Sequence, residues 1–237
     1  MIGTIAIAIF CRTPAAGQSK TRLSPPLSAQ ECAALSVCFI RDLAATIHKV
    51  AQTSAAAGYA VYTPAGSEDA LRELLPANFA LMPQRDGDFG VRVAASMRTL
   101  LAQHAGAILV NGDSPTLPAA ILRAAIDALS RDVVTLSPAA DGGYTLIGLS
   151  KMHDELFVDV PWSTAQVYER TVARAAAIGL PVVNVPGWYD VDDAASLALL
   201  GAELAGQRPP FTHLSGAAAP ATRAFLARRS DQLSAMR

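Results

Sequence analysis

Short apolar runs rich in β-branched residues alternate with longer stretches of helical spacing along almost the whole chain. Seven runs read as strands: Thr4–Cys11, Gly58–Tyr62, Phe79–Met82, Ala107–Asn111, Val133–Ser137, Tyr144–Leu149 and Val182–Val185. Between most of them lie segments of helix length. That alternation predicts an α/β fold, a mostly parallel central sheet with helices on both faces. The first strand, TIAIAIFC, is almost wholly apolar, as a strand covered on both sides must be.

Helix boundaries are written in polar residues. Ser28 and Glu31 form a capping box, and Cys32, Leu35, Phe39, Leu43, Ile47 and Val50 follow at helical spacing. Ser163 and Gln166 repeat the signature and predict a helix through Tyr168, Val172 and Ile178, ended by Gly179 and Pro181. Asp193 suits the N-cap of a helix beginning near Ala194. No repeat or long linker interrupts the pattern up to about Leu204. From Gly206 the composition turns to Pro, Gly, Ala and Ser, followed by a short arginine-bearing helix, Ala221–Leu233. Residues 1–204 read as one domain and 205–237 as an appended tail.

Composition narrows the function classes. Of 237 residues, 51% are hydrophobic and 16% charged, enough apolar material for one substantial core. Nineteen Lys and Arg against twenty Asp and Glu leave a net charge of −1, which gives no electrostatic case for nucleic-acid or anionic-membrane binding. The charge-free run Met1–Cys11 is too short to span a bilayer, and the first positive charge, Arg12, follows it, whereas a secretory signal would have basic residues in front. Cys11, Cys32 and Cys38 lack C-x-x-C spacing, which fits reduced, buried thiols in a cytoplasmic protein.

In an open parallel sheet ligands bind beyond the carboxyl ends of the strands, so the residues that follow each strand carry the chemistry. The loop after the first strand holds Arg12, Gly17, Lys20 and Arg22 with no acid before Glu31, a setting for an oligophosphate. Lys20 is expected there to meet phosphate rather than a protein carboxylate. Ser19 stands where a P-loop needs glycine before its lysine, so this is not that motif. Asp113, directly behind the apolar Ile108–Val110 run, is placed for a hard cation such as Mg²⁺, or alternatively for a turn ahead of the helix that Pro118 begins. Asp141-Gly142-Gly143 suits either a ligand or a hairpin turn. Asp190 and Asp192 are acids with no evident local duty. After the third strand, Gln84 could read an amide edge of a base, and Gly87 and Gly90 would allow a ligand close to the backbone. The four histidines are scattered, with no Ser-His-Asp pattern.

Four segments carry a resemblance. S-K-T-R-L at 19–23, L-V-N-G-D-S-P-T-L-P at 109–118, D-G-G-Y-T-L-I-G-L at 141–149 and W-Y-D-V-D-D at 188–193 resemble the GT-A, nucleotide-diphospho-sugar transferase superfamily. Within it the chain is similar to a family of radical-SAM- and selenodomain-associated transferases, related to phospholactate and phosphoenolpyruvate guanylyltransferases and to molybdenum-cofactor nucleotidyltransferases. The resemblance covers about residues 4–204. It implies nucleotide phosphates wrapped by the loop through Gly17, Lys20 and Arg22, and a base approached by Gln84; Arg12 and Gly90 join them as candidate nucleotide-binding residues from their positions alone. It implies Mg²⁺ or Mn²⁺ on Asp113 and Asp192, with Asp190 in reserve, and an acceptor facing Asp141, Gly142 and Gly143. The partners it implies are a nucleotide and a small-molecule acceptor, with a homodimer open. A nucleotidyltransferase releasing pyrophosphate is the leading expectation. A glycosyltransferase with a nucleotide-sugar donor and a non-catalytic nucleotide-binding module are the alternatives.

Overall fold

The computed structural model describes residues 3–235, so Met1 and Ile2 of the charge-free run and the last two residues of the tail lie outside it. Seven strands form one sheet: β1 (Ile5–Arg12), β2 (Ala56–Thr63), β3 (Ala80–Pro83), β4 (Gly106–Asn111), β5 (Val134–Pro138), β6 (Tyr144–Leu149) and β7 (Val182–Asn184). Their order is β3-β2-β1-β4-β6-β5-β7, parallel throughout except for β6, which runs against both β4 and β5. All seven expected strands are present, in the expected order along the chain. The reversal of β6 follows from the short Ala139–Gly143 connection, because a parallel strand would need a crossover of a dozen or more residues.

The helices α1 (Ala29–Ala51), α2 (Glu68–Arg72), α3 (Phe89–Leu101), α4 (Ala119–Ala128), α5 (Val167–Ala177), α6 (Ala194–Leu204) and α7 (Pro220–Ala235) cover the sheet. On one face Leu35, Phe39, Leu43 and Ile47 of α1 pack with Ile121 of α4 and Leu200 of α6 against Ile7, Ile9 and Ile108. On the other, Val93, Met97 and Leu100 of α3 and Ala175 of α5 pack against Ala6, Ala8, Leu109 and Ile147. The alanines at every second position of β1 face α3.

Caps behave as the sequence predicts at Ser28 and Asp193. Ser28 exchanges both bonds of its box with Glu31, and Asp193 does the same with Ser196. The second expected box does not form. Helix α5 begins later, at Val167, with Gln166 as its N-cap, and Ser163 sits in the left-handed region at φ 63°. The Pro161–Ala165 segment turns toward the carboxyl edge of the sheet, and Thr164 there accepts the Gln166 N–H instead.

The C-terminal helix α7 is docked on α1. Asp42, a buried carboxylate of α1, accepts from the backbone N–H of Ala221 at 3.0 Å and of Thr222 at 2.8 Å. It caps a helix 180 residues away in sequence, and the negative charge also suits the positive end of that helix. Among the described residues no helix is long and apolar enough to cross a membrane. Asp42→Ala is expected to cost about 1–3 kcal/mol in urea unfolding and to raise hydrogen exchange first in α7.

Candidate active site

The chain leaves β1 on one side to make β2 and β3, then returns to place β4 on β1's other side. The crevice at that reversal is where an open α/β sheet binds ligands. Register puts the strand ends level there: Arg12 pairs with Thr63 and Phe10 with Asn111. A cavity of about 610 Å³ lies beyond them, lined by Arg12, Lys20, Arg22, Asp113, Asp141, Asp190 and Asp192 among others. The loops after β1 and β4, the β5–β6 turn and the loop before α6, remote in sequence, thus share one space.

At its centre is Lys20. The residue has φ 52° and ψ 37°, a left-handed conformation uncommon for a side chain other than glycine. From it the ammonium reaches Asp113 Oδ1 at 2.8 Å, Asp192 Oδ1 at 2.7 Å and the Val191 carbonyl at 2.7 Å. The ammonium also lies over the Phe39 ring, 5.8 Å from its centroid. The lysine side chain is 5% exposed and each carboxylate 35%. Burial works against the charge, but Asp113 and Asp192 outweigh it and hold the ammonium above its ordinary pKa. Lys20 was expected to meet phosphate; it instead ties two carboxylates together.

The acids are set by their loops. Asn111, the last residue of β4, accepts the Asp113 N–H through Oδ1 at 3.2 Å and donates from Nδ2 to Asp190 Oδ2 at 2.9 Å. The Asp113 carbonyl accepts the Val191 N–H at 3.0 Å, and Ser196 Oγ accepts the Asp192 N–H at 2.9 Å. Trp188 and Tyr189, both buried, anchor the 188–193 segment from behind; the Trp188 indole donates to Thr116 at 3.3 Å. Burial, reinforced by Asp192, Asp141 and Asp113, pushes the Asp190 carboxyl up to about 7, with Lys20 pulling the other way. Cys11 lies beneath, pushed up to about 12 by burial and by Asp113, so it is an inert thiol; Cys32 and Cys38 are also free and buried.

The remaining expected residues divide. Arg22 is 77% exposed and reaches Asp192 only at 3.5 Å, and Arg12 is exposed with Gln18 at 3.3 Å, so both have donors to spare. Asp141 lines the cavity and accepts the Gly143 N–H at 2.9 Å in the hairpin turn. Gly17 turns the loop at φ 73° and is not part of the cavity wall. Gln84, expected at the base, has its amide N–H groups on the Cys11 and Val61 carbonyls at 3.1 and 3.0 Å, so it joins β1 to β2 and keeps no donor for a base. Gly90 makes room for protein rather than ligand, since a Cβ there would collide with the Trp162 indole. Gly142, at φ 87°, lies against the Ala165 carbonyl. Both glycines let the 161–165 segment close over the edge of the sheet.

Several lining residues escape sequence reasoning: Asn111, Arg92, and the ring series Phe10, Phe89 and Trp162, with centroids 5.5 and 5.3 Å apart. Asn111, just ahead of Gly112-Asp113, carried a readable signal as an Asx residue at a strand end. The others meet only in three dimensions, where Phe10 of β1, Phe89 and Arg92 of α3 and Trp162 of the segment before α5 converge.

Comparison with known proteins places the fold. The structure superposes on a protein of Desulfovibrio desulfuricans G20 provisionally named a nucleotide-diphospho-sugar transferase, with TM-score 0.81 and 25% identity over 96% of this chain and 95% of that one. It also shares its fold with a CMP:2-keto-3-deoxy-manno-octonic acid synthetase complexed with CTP, at TM-score 0.57 and 13% identity over 85% and 98% of the two chains. A 4-diphosphocytidyl-2C-methyl-D-erythritol synthase of Anaerococcus prevotii DSM 20548 gives TM-score 0.55 and 12% identity over 85% and 99%. No curated protein sequence matches the chain. The fold is that of the GT-A, nucleotide-diphospho-sugar transferase superfamily. Residues 46–164 match the family described as uncharacterized proteins conserved in bacteria (DUF2064), and the chain belongs to that family.

The central ion pair has a direct test. Lys20→Met leaves Asp113, Asp190 and Asp192 facing one another with only the exposed Arg22 nearby, and is expected to cost about 3 kcal/mol or more in urea unfolding. Millimolar Mg²⁺ is expected to restore part of that loss, and to do little for the wild type's stability by comparison. A variant as stable as wild type without Mg²⁺ would show that Lys20 is dispensable to the edge.

Proposed function

We propose that the protein is a divalent-cation-dependent nucleotidyltransferase that moves a nucleoside monophosphate from a triphosphate to a small phosphate- or phosphonate-bearing acceptor. The observation that carries the reading is the convergence of Asp113 and Asp192 on one positive charge at the β1/β4 crevice, inside a cavity of ligand size. The protein's own ammonium marks that point as one where positive charge is stabilised. The residues fit a hard cation. Asp113 Oδ2 has no partner among the described residues and Asp192 Oδ2 has only the long Arg22 contact, so each keeps an oxygen for Mg²⁺, which binds through one or two carboxylates plus substrate phosphate and water. Such a cation would polarise the phosphoryl oxygens and orient the reacting groups.

The chain's own groups then have distinct duties. Arg12 and Arg22, exposed and with free donors, bind the triphosphate. Lys20 holds the two carboxylates at a fixed separation, and its charge offsets that of the departing pyrophosphate. An oxygen of the acceptor attacks the α-phosphorus, the bond from that phosphorus to the α–β bridging oxygen breaks, and pyrophosphate leaves with the electron pair. No side chain needs to act as nucleophile. Transfer from a nucleotide sugar is the second reading, favoured by the name of the Desulfovibrio relative, and it differs in releasing no pyrophosphate.

Pyrophosphate release, followed across a panel of nucleoside triphosphates and phosphorylated acceptors with Mg²⁺, tests the reaction. Asp113→Asn is expected to melt within a few degrees of wild type and to lose most metal-dependent turnover, since an amide keeps the shape but not the charge. Full turnover by that variant would remove Asp113 from the site. Arg22→Gln is expected to weaken triphosphate binding about 10-fold or more and monophosphate binding much less, measured by calorimetry at fixed salt. Equal losses for both ligands would move the β- and γ-phosphates away from Arg22.

A further inference from the structure

Arg92 lies one turn into α3 and lines the cavity on the α3 face of the sheet, whereas Lys20 sits over Phe39 on the α1 face. It differs from the cavity's other cations. Lys20 has two carboxylate partners and Arg22 one, and Arg12 is exposed to water. Arg92 is half-buried and has no ion-pair partner among the described residues. Its Nη1 donates to Gln84 Oε1 at 2.8 Å, while its Nε is buried and bonded to nothing. The guanidinium lies over Phe89, 5.6 Å from the ring centroid. Trp162 leans on the same ring at 5.3 Å, and its indole N–H also has no acceptor among the described residues. A guanidinium with one neutral acceptor and no counter-ion, and an indole N–H without a protein acceptor among the described residues, therefore flank one aromatic ring.

A half-buried guanidinium without a counter-ion carries an uncompensated desolvation cost, which an oxyanion removes. Charge-assisted bonds to carboxylate or phosphate are about twice as strong as neutral ones, and the guanidinium fork matches both. Position along the reaction axis says whose oxyanion it is. In an in-line displacement the attacking group enters opposite the leaving group. With pyrophosphate leaving toward Arg22 on the α1 side, the acceptor comes from the α3 side.

We propose that Arg92 and Trp162, set by Phe89 and Gln84, form an oxyanion subsite that anchors an acid group of the acceptor. The assignment to the acceptor rests on the nucleotidyl-transfer reading; the subsite itself does not. Arg92 is thus a determinant of acceptor class, selecting molecules with a carboxylate or phosphate-type group beside an apolar or planar body that can lie on Phe89.

Inorganic phosphate is the probe and tryptophan fluorescence the readout, because Trp188, the second of the chain's two tryptophans, is 1% exposed. In the full chain, saturated with Mg²⁺ and the nucleoside triphosphate that stabilises it most, phosphate is expected to change the emission, and Trp162→Phe to abolish that change. Arg92→Gln is expected to weaken phosphate binding about 10-fold or more while altering triphosphate affinity less than about two-fold. Arg92→Lys, which keeps the charge but not the fork, is expected to fall between, and its melting curve controls for folding. Phosphate binding that competes with the triphosphate would assign Arg92 to the donor and overturn the acceptor assignment. Phosphate binding equally well to wild type and Arg92→Gln would overturn the subsite. Arg92-dependent phosphate binding by a chain that binds no triphosphate would keep the subsite and remove the nucleotidyl-transfer reading on which the acceptor assignment rests.

Discussion

The carboxyl edge of the sheet depends on one ammonium group. Three acids, Asp113, Asp190 and Asp192, arrive there from two loops nearly eighty residues apart, and like charges at such range repel strongly once water is thinned. Lys20 bridges two of them while also binding the Val191 carbonyl, so the loops after β1 and β4 and the loop before α6 are joined at a single atom. The cost is visible in the backbone, which adopts a left-handed conformation at a lysine. Strain of that kind persists only where the surroundings over-determine it, and it clusters at functional sites. Here the Phe39 ring and two carboxylates around the ammonium supply the constraint.

The asymmetry of exposure gives the edge its chemistry. Lysine is nearly dry while both aspartates keep about a third of their surface open. The pair is locked from behind and presents free oxygens in front. On the α1 side of that front stands the solvated Arg22 with uncommitted donors; on the α3 side stands Arg92 among aromatic rings. A phosphate-rich donor and an acidic acceptor would then meet over the carboxylates from opposite faces of the sheet, and β1 supplies both floors: isoleucines toward α1 and alanines toward α3.

Much of this was legible in the sequence, for reasons that differ by element. The seven strands were readable because buried parallel strands are continuous apolar runs, and the Ser28 box because capping is a local interaction between residues three apart. The second box, at Ser163, failed because the same local signature was overridden by the packing of Trp162 against Gly90 and of Ala165 against Gly142. Those glycines are in the expected segments, but what approaches them is protein. Lys20, Asp113 and Asp141 were readable because they follow strands, and Asp190 and Asp192 because no cap or turn accounts for them; all five line the cavity. Gln84 shows the limit: residue type suggested base recognition, yet two carbonyls of neighbouring strands claim its donors. Arg92 and Phe89 were hidden because the pattern of α3 shows which face is apolar, not which residues its first turn delivers to another loop.

On the nucleotidyl-transfer reading, the charge point held by Lys20, Asp113 and Asp192 receives a metal–nucleotide complex. Calorimetric titration of wild-type protein with nucleoside triphosphates, with and without Mg²⁺ at constant ionic strength, tests it most directly. At least one triphosphate is expected to bind, with Mg²⁺ tightening binding about 10-fold or more, equivalent to about 1.4 kcal/mol. Triphosphate affinity that is the same with Mg²⁺ and with a chelator would contradict it.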